Sequence, residues 1–557
     1  MRSSLVIKCS RVIFFFLSLS IYSCRTTEEV KKVDYSDVLS VLCEVDKVSA
    51  KIEKNDDIEA LSIAKNLVEN RGDVEEARLI YQKALENAEK VLKDKVEKKD
   101  WEQALLYFNS IKACESSFDD SLLKIIDSGI NANLVKNYPS FSKIMNKNNS
   151  SKIAKTLDEM INATVTVFVD RGIKVEKGMG YSDIILGSGF FIDEEGYFIT
   201  NYHVIQSEVD SKYEGYSRVY IKNFEGSKDK IPAKVIGYDP LLDLALLKAQ
   251  VKPSHIFKLG SSKSLKVGDK CYAIGSPLGL ERTLTQGIIS SKDRQLIPLA
   301  SVIQLDAAIN HGSSGGPMVD ENGEVQGVVF AGVTKTQGLN FAIPVELLKL
   351  VLPHLYNGGE HSHSWLGSYG KDIDEIDDVS SGVVASYIMP SGAIANAGIN
   401  DGAVITHIND KEVKNLGNLK LLLMELSVSS IIKVSGKVKT ENGWKSKNWF
   451  PVLQKRPDSP ASLIYKKDTL QRCVLPFYGL ILENMGHKKR FRVKEVIRHS
   501  YADESGFMVN DYLEIRNMQV DEDKGIVQTL FYAKKLKAAY IESFVGATTY
   551  ADNPGYF

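Results

Sequence analysis

The sequence predicts a multidomain chain with three textures: a helical N-terminal region, an all-β barrel region in the middle, and an α+β tail built from a repeated module. Three observations predict this. Apolar residues recur at three- and four-residue steps from 25 to about 155, where Gly and Pro are scarce. From Ala163-Thr164-Val165-Thr166-Val167-Phe168-Val169 to about 343, short strand-like runs alternate with Gly, Asp and Asn turns. In the tail, Ser391-Gly392-Ala393-Ile394-Ala395-Asn396-Ala397-Gly398-Ile399 is echoed about 108 residues later by Ser500-Tyr501-Ala502-Asp503-Glu504-Ser505-Gly506-Phe507.

The length of 557 residues suits about three to five domains. A content of 43% hydrophobic and 25% charged residues is enough to bury several cores. The 70 basic and 71 acidic residues leave a net charge of -1, which gives no reason to expect nucleic acid as a partner.

The first two dozen residues stand apart. Arg2, Lys8 and Arg11 precede or open the apolar run Val12 to Tyr22, which is shorter than the roughly 20 residues that a membrane helix needs. A basic start, a short apolar core and small residues before a cut read as a secretory signal over 1–23. Ile21-Tyr22-Ser23-Cys24 resembles a relaxed bacterial lipobox, which implies lipidation of Cys24, a membrane anchor and a place in the cell envelope, facing the periplasm or the surface. Plain signal cleavage is the alternative. Beyond these, Cys43, Cys114, Cys271 and Cys473 are scattered, with no Cys-x-x-Cys pair and hence no metal signature. Cys43 and Cys114 share the helical region and could pair, although isolated buried thiols fit better.

Within the helical region, 24–155, three stretches look alike: Asp57-Ile58-Glu59-Ala60-Leu61, Asp73-Val74-Glu75-Glu76-Ala77 and Asp100-Trp101-Glu102-Gln103-Ala104-Leu105. Each has an acidic start suited to a helix N-terminus, then Ala on the helix face. They resemble tetratricopeptide-type hairpins, but their irregular spacing leaves a generic bundle equally open. Either would serve to dock a partner.

The middle region, 156–355, carries chemistry. Asn310-His311-Gly312-Ser313-Ser314-Gly315-Gly316-Pro317 combines a hydroxyl with glycines that let backbone amides converge. His203 follows the apolar run Gly196-Tyr197-Phe198-Ile199-Thr200-Asn201-Tyr202 and is expected at the end of a strand, on a barrel rim. Asp243 opens the apolar strand Leu244-Ala245-Leu246-Leu247, where a desolvated carboxylate needs a partner such as an imidazole N–H. Asp239, before Pro240, reads as a turn residue instead.

The Thr-Asn-x-His-Val, Asp-Leu-Ala-Leu-Leu and Ser-Gly-Gly-Pro segments resemble the trypsin-like serine proteases, and more narrowly their HtrA (Deg) branch. Ala273-Ile274-Gly275-Ser276-Pro277-Leu278-Gly279, Thr285-Gln286-Gly287-Ile288-Ile289-Ser290 and Phe341-Ala342-Ile343-Pro344 add to the likeness. The resemblance implies a double β-barrel with His203, Asp243 and Ser314 as catalytic triad in the cleft. It implies an oxyanion hole from the segment Gly312, Ser313 and Ser314, with the Gly312 and Ser314 amides as donors and Ser313 as a turn residue, and a substrate-pairing strand at Phe330-Ala331-Gly332-Val333. It also implies cleavage of unfolded or misfolded polypeptides with no metal or cofactor, and a homotrimer or trimer-based assembly. A regulatory protease of one partner, and a catalytically silent chaperone or scaffold, are the competing readings.

Residues 356–364 read as a linker. The repeated tail looks like two PDZ modules, at 365–455 and 472–557, the second degenerate. In the first, Trp365-Leu366-Gly367-Ser368 aligns with the loop that holds a peptide C-terminal carboxylate, so peptide C-termini are expected partners. Tyr478-Gly479-Leu480-Ile481 is the matching stretch in the second.

Overall fold

Each of the three acidic-start stretches opens a helix. Helix α1 (Val38–Glu53) is capped by Asp37, whose side chain accepts from the amides of Leu39 and Ser40. Helices α2 (Asp57–Arg71), α3 (Glu75–Glu97), α4 (Trp101–Cys114) and α5 (Ser121–Asn137) follow. Ala60, Ala77 and Ala104 are all buried, where small side chains let neighbouring helices approach closely. Cys43 is exposed, Cys114 is buried and both are free thiols, so that pair is not made. The structure, a computed structural model, describes residues 35, 37–137, 152–210, 218–222, 230–275, 283–332, 339–373, 379–487, 489–535 and 541–557. The expected signal segment and Cys24 lie outside the described residues.

After the short helix α6 (Leu157–Asn162) come two six-stranded antiparallel barrels. The first uses β1 (Thr164–Glu176), β2 (Met179–Phe191), β3 (Tyr197–Thr200), β4 (Arg218–Lys222), β5 (Ile231–Asp239) and β6 (Leu244–Ala249). Its order is β5-β4-β1-β2-β3-β6, closed by pairing of β5 with β6. Helix α7 (Tyr202–Val209) interrupts it after β3. The second uses β7 (Lys270–Gly275), β8 (Thr283–Arg294), β9 (Val302–Leu305), β10 (Pro317–Val319), β11 (Val325–Gly332) and β12 (Asn340–Pro344), closed in the order β10-β11-β12-β9-β8-β7.

Burial explains the unbroken apolar run in β6. Ala245, Leu247 and Ala249 fill the first barrel with Val165, Val167 and Phe198. Leu244 and Leu246 face a different core, shared with Ile274 and Val328 of the second barrel and with Leu348 and Leu352 of helix α8 (Val345–Asn357). A strand buried on both faces has no polar alternation. Cys271 lies inside the second barrel, as expected.

The expected linker is knitted to the first barrel instead. Strand β13 (Gly359–Glu360) pairs in parallel with β5, and the His361 amide donates to Tyr238 O at 2.8 Å. His363 Nε2 lies 2.8 Å from Asp239 Oδ2, with side chains only 1% and 0% exposed. Asp239, expected in a turn, is the last residue of β5 and caps the turn that follows, its Oδ1 accepting from the amides of Leu241 and Leu242. It also anchors the segment leaving α8, because a buried carboxylate needs a second partner.

The unit that follows pairs β14 (Ser364–Trp365) with β21 (Gln454–Lys455). Its main sheet has the order β15-β16-β17-β19-β20: β15 (Ser368–Asp372), β16 (Val383–Ile388), β17 (Val404–Ile408), β19 (Val434–Thr440) and β20 (Gly443–Trp449). Strand β18 (Lys411–Glu412) pairs with β17, and helices α9 (Ala393–Asn396) and α10 (Leu416–Met424) cover the sheet. The helical region docks here. Asn66 Nδ2 donates to Phe450 O at 3.1 Å, Phe450 N returns a bond to Asn66 Oδ1 at 3.0 Å, and Ile431 N donates to Ser110 Oγ at 3.0 Å.

The last unit begins at helix α11 (Pro460–Lys467), earlier than the expected 472, followed by α12 (Leu470–Tyr478). Its five strands pair in sequence order: β22 (Leu480–His487), β23 (Arg490–Val496), β24 (Tyr512–Asp521), β25 (Ile526–Lys535) and β26 (Ile541–Tyr550). Helix α13 (Tyr501–Glu504) repeats α9. Gly398 and Gly506 occupy the same place after each, with φ of 81° and 71°, a region open to glycine. Beyond β26 the backbone of 555–557 pairs with β15 of the preceding unit, while Tyr556 stays buried in the last unit's core.

Candidate active site

His203 sits in the first turn of α7, not at the end of a strand. The reason is a cap from elsewhere in the chain. Helix starts leave amides without partners, and Asp243 Oδ1 accepts from the His203 amide at 2.8 Å. The other carboxylate oxygen lies 2.7 Å from His203 Nδ1. Asp243 therefore fixes both the backbone and the ring of one residue. Its side chain is 16% exposed and that of His203 45%, so the imidazole is open to solvent while the carboxylate is largely covered.

Asp243 is itself held in an unusual posture. Its φ is 55°, a left-handed conformation that Asp and Asn tolerate better than most residues. Asn201 Nδ2 donates to its carbonyl at 2.8 Å and locks that turn. For the His203 imidazole, burial pulls the pKa down, but the hydrogen bond and charge of Asp243 outweigh it and leave the value raised above 6.5.

The Ser314 loop lies against the same strands. Ser188 N donates to Ser314 O at 2.7 Å, and Ser188 Oγ to Gly312 O at 2.6 Å. Gly315, with φ of 86°, leaves no room for a side chain. A Cβ there would stand 2.2 Å from Ser188 O, 2.3 Å from Thr200 Oγ1 and 3.1 Å from the Asn201 amide. That contact sets Ser314 beside the segment carrying His203. Among the described residues the Ser314 hydroxyl bonds only to Phe330 O, at 3.4 Å, and makes no bond to His203.

The expected oxyanion trio is not uniform. The Ser313 amide donates to Asn310 O at 3.0 Å, which closes a turn and removes it as a donor. The amides of Gly312 and Ser314 have no acceptor among the described residues, so they alone of the three can receive a developing charge. His311 is exposed at the corner of that turn.

A family model described as a trypsin-like peptidase domain matches residues 187–328. A TP0546 family PDZ domain matches 461–551, and a domain of unknown function (DUF8517) matches 40–125. The "Probable periplasmic serine endoprotease DegP-like" of Chlamydia trachomatis serovar D is 34% identical over 273 residues, covering 46% of this chain and 53% of that protein. Its namesake in Marinomonas sp. strain MWYL1 is 34% identical over 289 residues, covering 49% and 58%. The chain thus spans about half the length of the curated relatives it matches. The solved HtrA-type protease AlgW with tripeptide is 27% identical, covering 54% of this chain and 98% of that one, with a TM-score of 0.46.

The trypsin-like peptidase match falls on the two barrels, and the chain is similar to DegP-like serine endoproteases. The expected substrate strand is the end of β11, where Ala331 pairs with Phe341 and Gly332 with Asn340 of β12. Phe330 supplies the carbonyl that holds Ser314. Val333 lies outside the described residues. A metal-competent group went unnoticed in the sequence. Asp239, His361 and His363 offer one ligand atom each within 4.8 Å of one another; a His-Ser-His triplet in an apparent linker was the available signal.

All four residues of the expected carboxylate loop are buried. Trp365 and Leu366 are buried, Trp365 against Tyr387 and the last unit's core, and Leu366 in the core of its own sheet. Gly367 makes the turn at φ of 78°, and Ser368 begins the edge strand β15. In the last unit, Gly479 is the left-handed C-cap of α12, and Tyr478 is buried against Phe531. Leu480 and Ile481 lie in β22, paired with β23.

Proposed function

We propose that this chain is an envelope serine endopeptidase that cleaves unfolded or misfolded polypeptides. Ser314 is the nucleophile, His203 the base and Asp243 the residue that orients it. The observation carrying this reading is the two-point hold of Asp243 on His203 beside the glycine-locked Ser314 loop.

With Nδ1–H bound to Asp243, the lone pair of His203 lies on Nε2. Ser314 turns from Phe330 O toward that nitrogen, gives up its proton and attacks the substrate carbonyl carbon. The oxyanion settles on the Gly312 and Ser314 amides. His203 then passes the proton to the leaving amine. Water, activated by the same imidazole, releases the acyl group from Ser314.

Groove binding of peptide C-termini by the first PDZ-like unit, a lipid anchor at Cys24 and a trimeric assembly belong to the same proposal. The relatives' names place them in the periplasm, which supports the envelope location.

The test is labelling with a fluorophosphonate probe alongside casein cleavage. The wild-type chain should label and cut unfolded casein but spare folded proteins, and Ser314→Ala should do neither. A folded wild-type chain that neither labels nor cuts would return the protein to the chaperone or scaffold class. Cleavage of a single envelope partner, with casein untouched, would favour the regulatory reading.

A further inference from the structure

The groove of the first PDZ-like unit is already occupied. Strand β15 is an edge strand, with β16 on one side only in the main sheet. Along its free edge lie residues 555–557 of the same chain, antiparallel to it. Ser368 N donates to Phe557 O at 3.1 Å, Phe557 N to Ser368 O at 2.9 Å, and Gly370 N to Gly555 O at 3.0 Å, around the bridge of Tyr369 with Tyr556. This is strand addition to a sheet edge, in which main-chain bonds hold the guest and alternate side chains read it.

The side chains fit. Phe557 is 2% exposed and joins the core formed by Leu366, Leu419 and Leu423. Gly370 makes space for it, because a Cβ there would come within 2.9 Å of the Phe557 ring. At Gly555 a Cβ would stand 2.2 Å from the Tyr369 ring, so the groove demands a minimal residue two places before the aromatic one. Tyr556 points the other way, into the last unit's core.

Upstream, the segment is clamped. Arg456 makes two bonds to Asp552, at 2.8 and 2.6 Å. Lys420, on α10, donates to Pro554 O and also, at 2.7 Å, to Pro298 O between β8 and β9 of the protease unit.

We propose that residues 553–557 are a resident, displaceable ligand of the first PDZ-like groove, which keeps it closed to other chains. An incoming chain must replace them with the same chemistry: an extended segment with a large aromatic residue at the Phe557 position and glycine at the Gly555 position. This rests on the peptide-binding part of the function proposed above. Lys420 bonds both the resident segment at Pro554 O and a protease loop at Pro298 O, so displacement takes away the first of these acceptors and leaves the bond to the loop.

The test measures binding of a fluorescent Asp-Asn-Pro-Gly-Tyr-Phe peptide by full chains. One is wild type, one ends at Asp552, and one carries Phe557→Asp, which keeps Tyr556 in its core should the shortened chain fold poorly. An intramolecular guest competes at a high effective concentration, so both variants should bind the peptide at least about tenfold more tightly than wild type. The same peptide ending in Asp should bind none of them. Equal affinity for wild type and both variants would overturn the resident-ligand proposal while leaving peptide binding intact. No binding by any chain, with circular dichroism unchanged, would overturn both. Neither result bears on Ser314, which probe labelling reports separately.

Discussion

At the scale of single residues, Asp243 carries more than one duty. It caps α7, orients the imidazole and occupies a left-handed backbone position. Asn keeps the size and tolerates that φ, so Asp243→Asn should fold yet lose turnover by about 10⁴, measured as kcat on casein or a peptide substrate. The pH profile gives a second check. Only neutral imidazole accepts the Ser314 proton, so activity must fall as pH drops through the His203 pKa. Since burial lowers that pKa but Asp243 raises it more, the acid limb of kcat/KM should have its midpoint above 6.5. A wild-type midpoint below 6.5 would mean that burial wins. Gly315→Ala should abolish probe labelling with little change in circular dichroism, because its Cβ collides with Ser188 O and Thr200 Oγ1 at the loop alone. The proposed triad residues could be picked out in the sequence because each stands beside a turn between apolar runs. Ser313 reads as a turn residue from its place before Ser314-Gly315-Gly316-Pro317, and the bond from its amide to Asn310 O closes that turn.

At the scale of elements, the periodicities served well where a segment's partner is close in sequence. The five helices, the barrel strands and the α9–α13 repeat all belong to this class. They failed where the partner is distant. The run through Asn201, Tyr202 and His203 reads as continued strand, but Asp243, 40 positions away, supplies the cap that starts a helix. Likewise Ser62, Asn66 and Ser110 look like ordinary polar positions on helices. Their meaning comes only from the backbone of 431 and 450 meeting them. Asn66→Ala strips a buried amide of its acceptor, a loss worth about 1–3 kcal/mol. Hydrogen exchange at the Phe450 amide should accelerate accordingly, while exchange inside the two barrels stays as it was.

At the scale of the whole molecule, the units are cross-braced. The helical bundle rests on the first PDZ-like unit, the last unit shares Trp365 with it, and the final residues close its groove. None of this is written in local pattern, because strand addition uses main-chain groups that every residue possesses. The expected linker is the plainest case. Gly358 and Gly359 suggested a loose tether, yet β13 and the buried pair of His363 with Asp239 make it a strut. A strut of that kind sets a fixed bearing between groove and cleft. A polypeptide gripped by one end in the groove would then be measured like cloth against a yardstick, and its first cuts should cluster at one spacing from the gripped end. Mass spectrometry of early products would show that cluster, and His363→Ala should smear it into a continuous ladder of lengths.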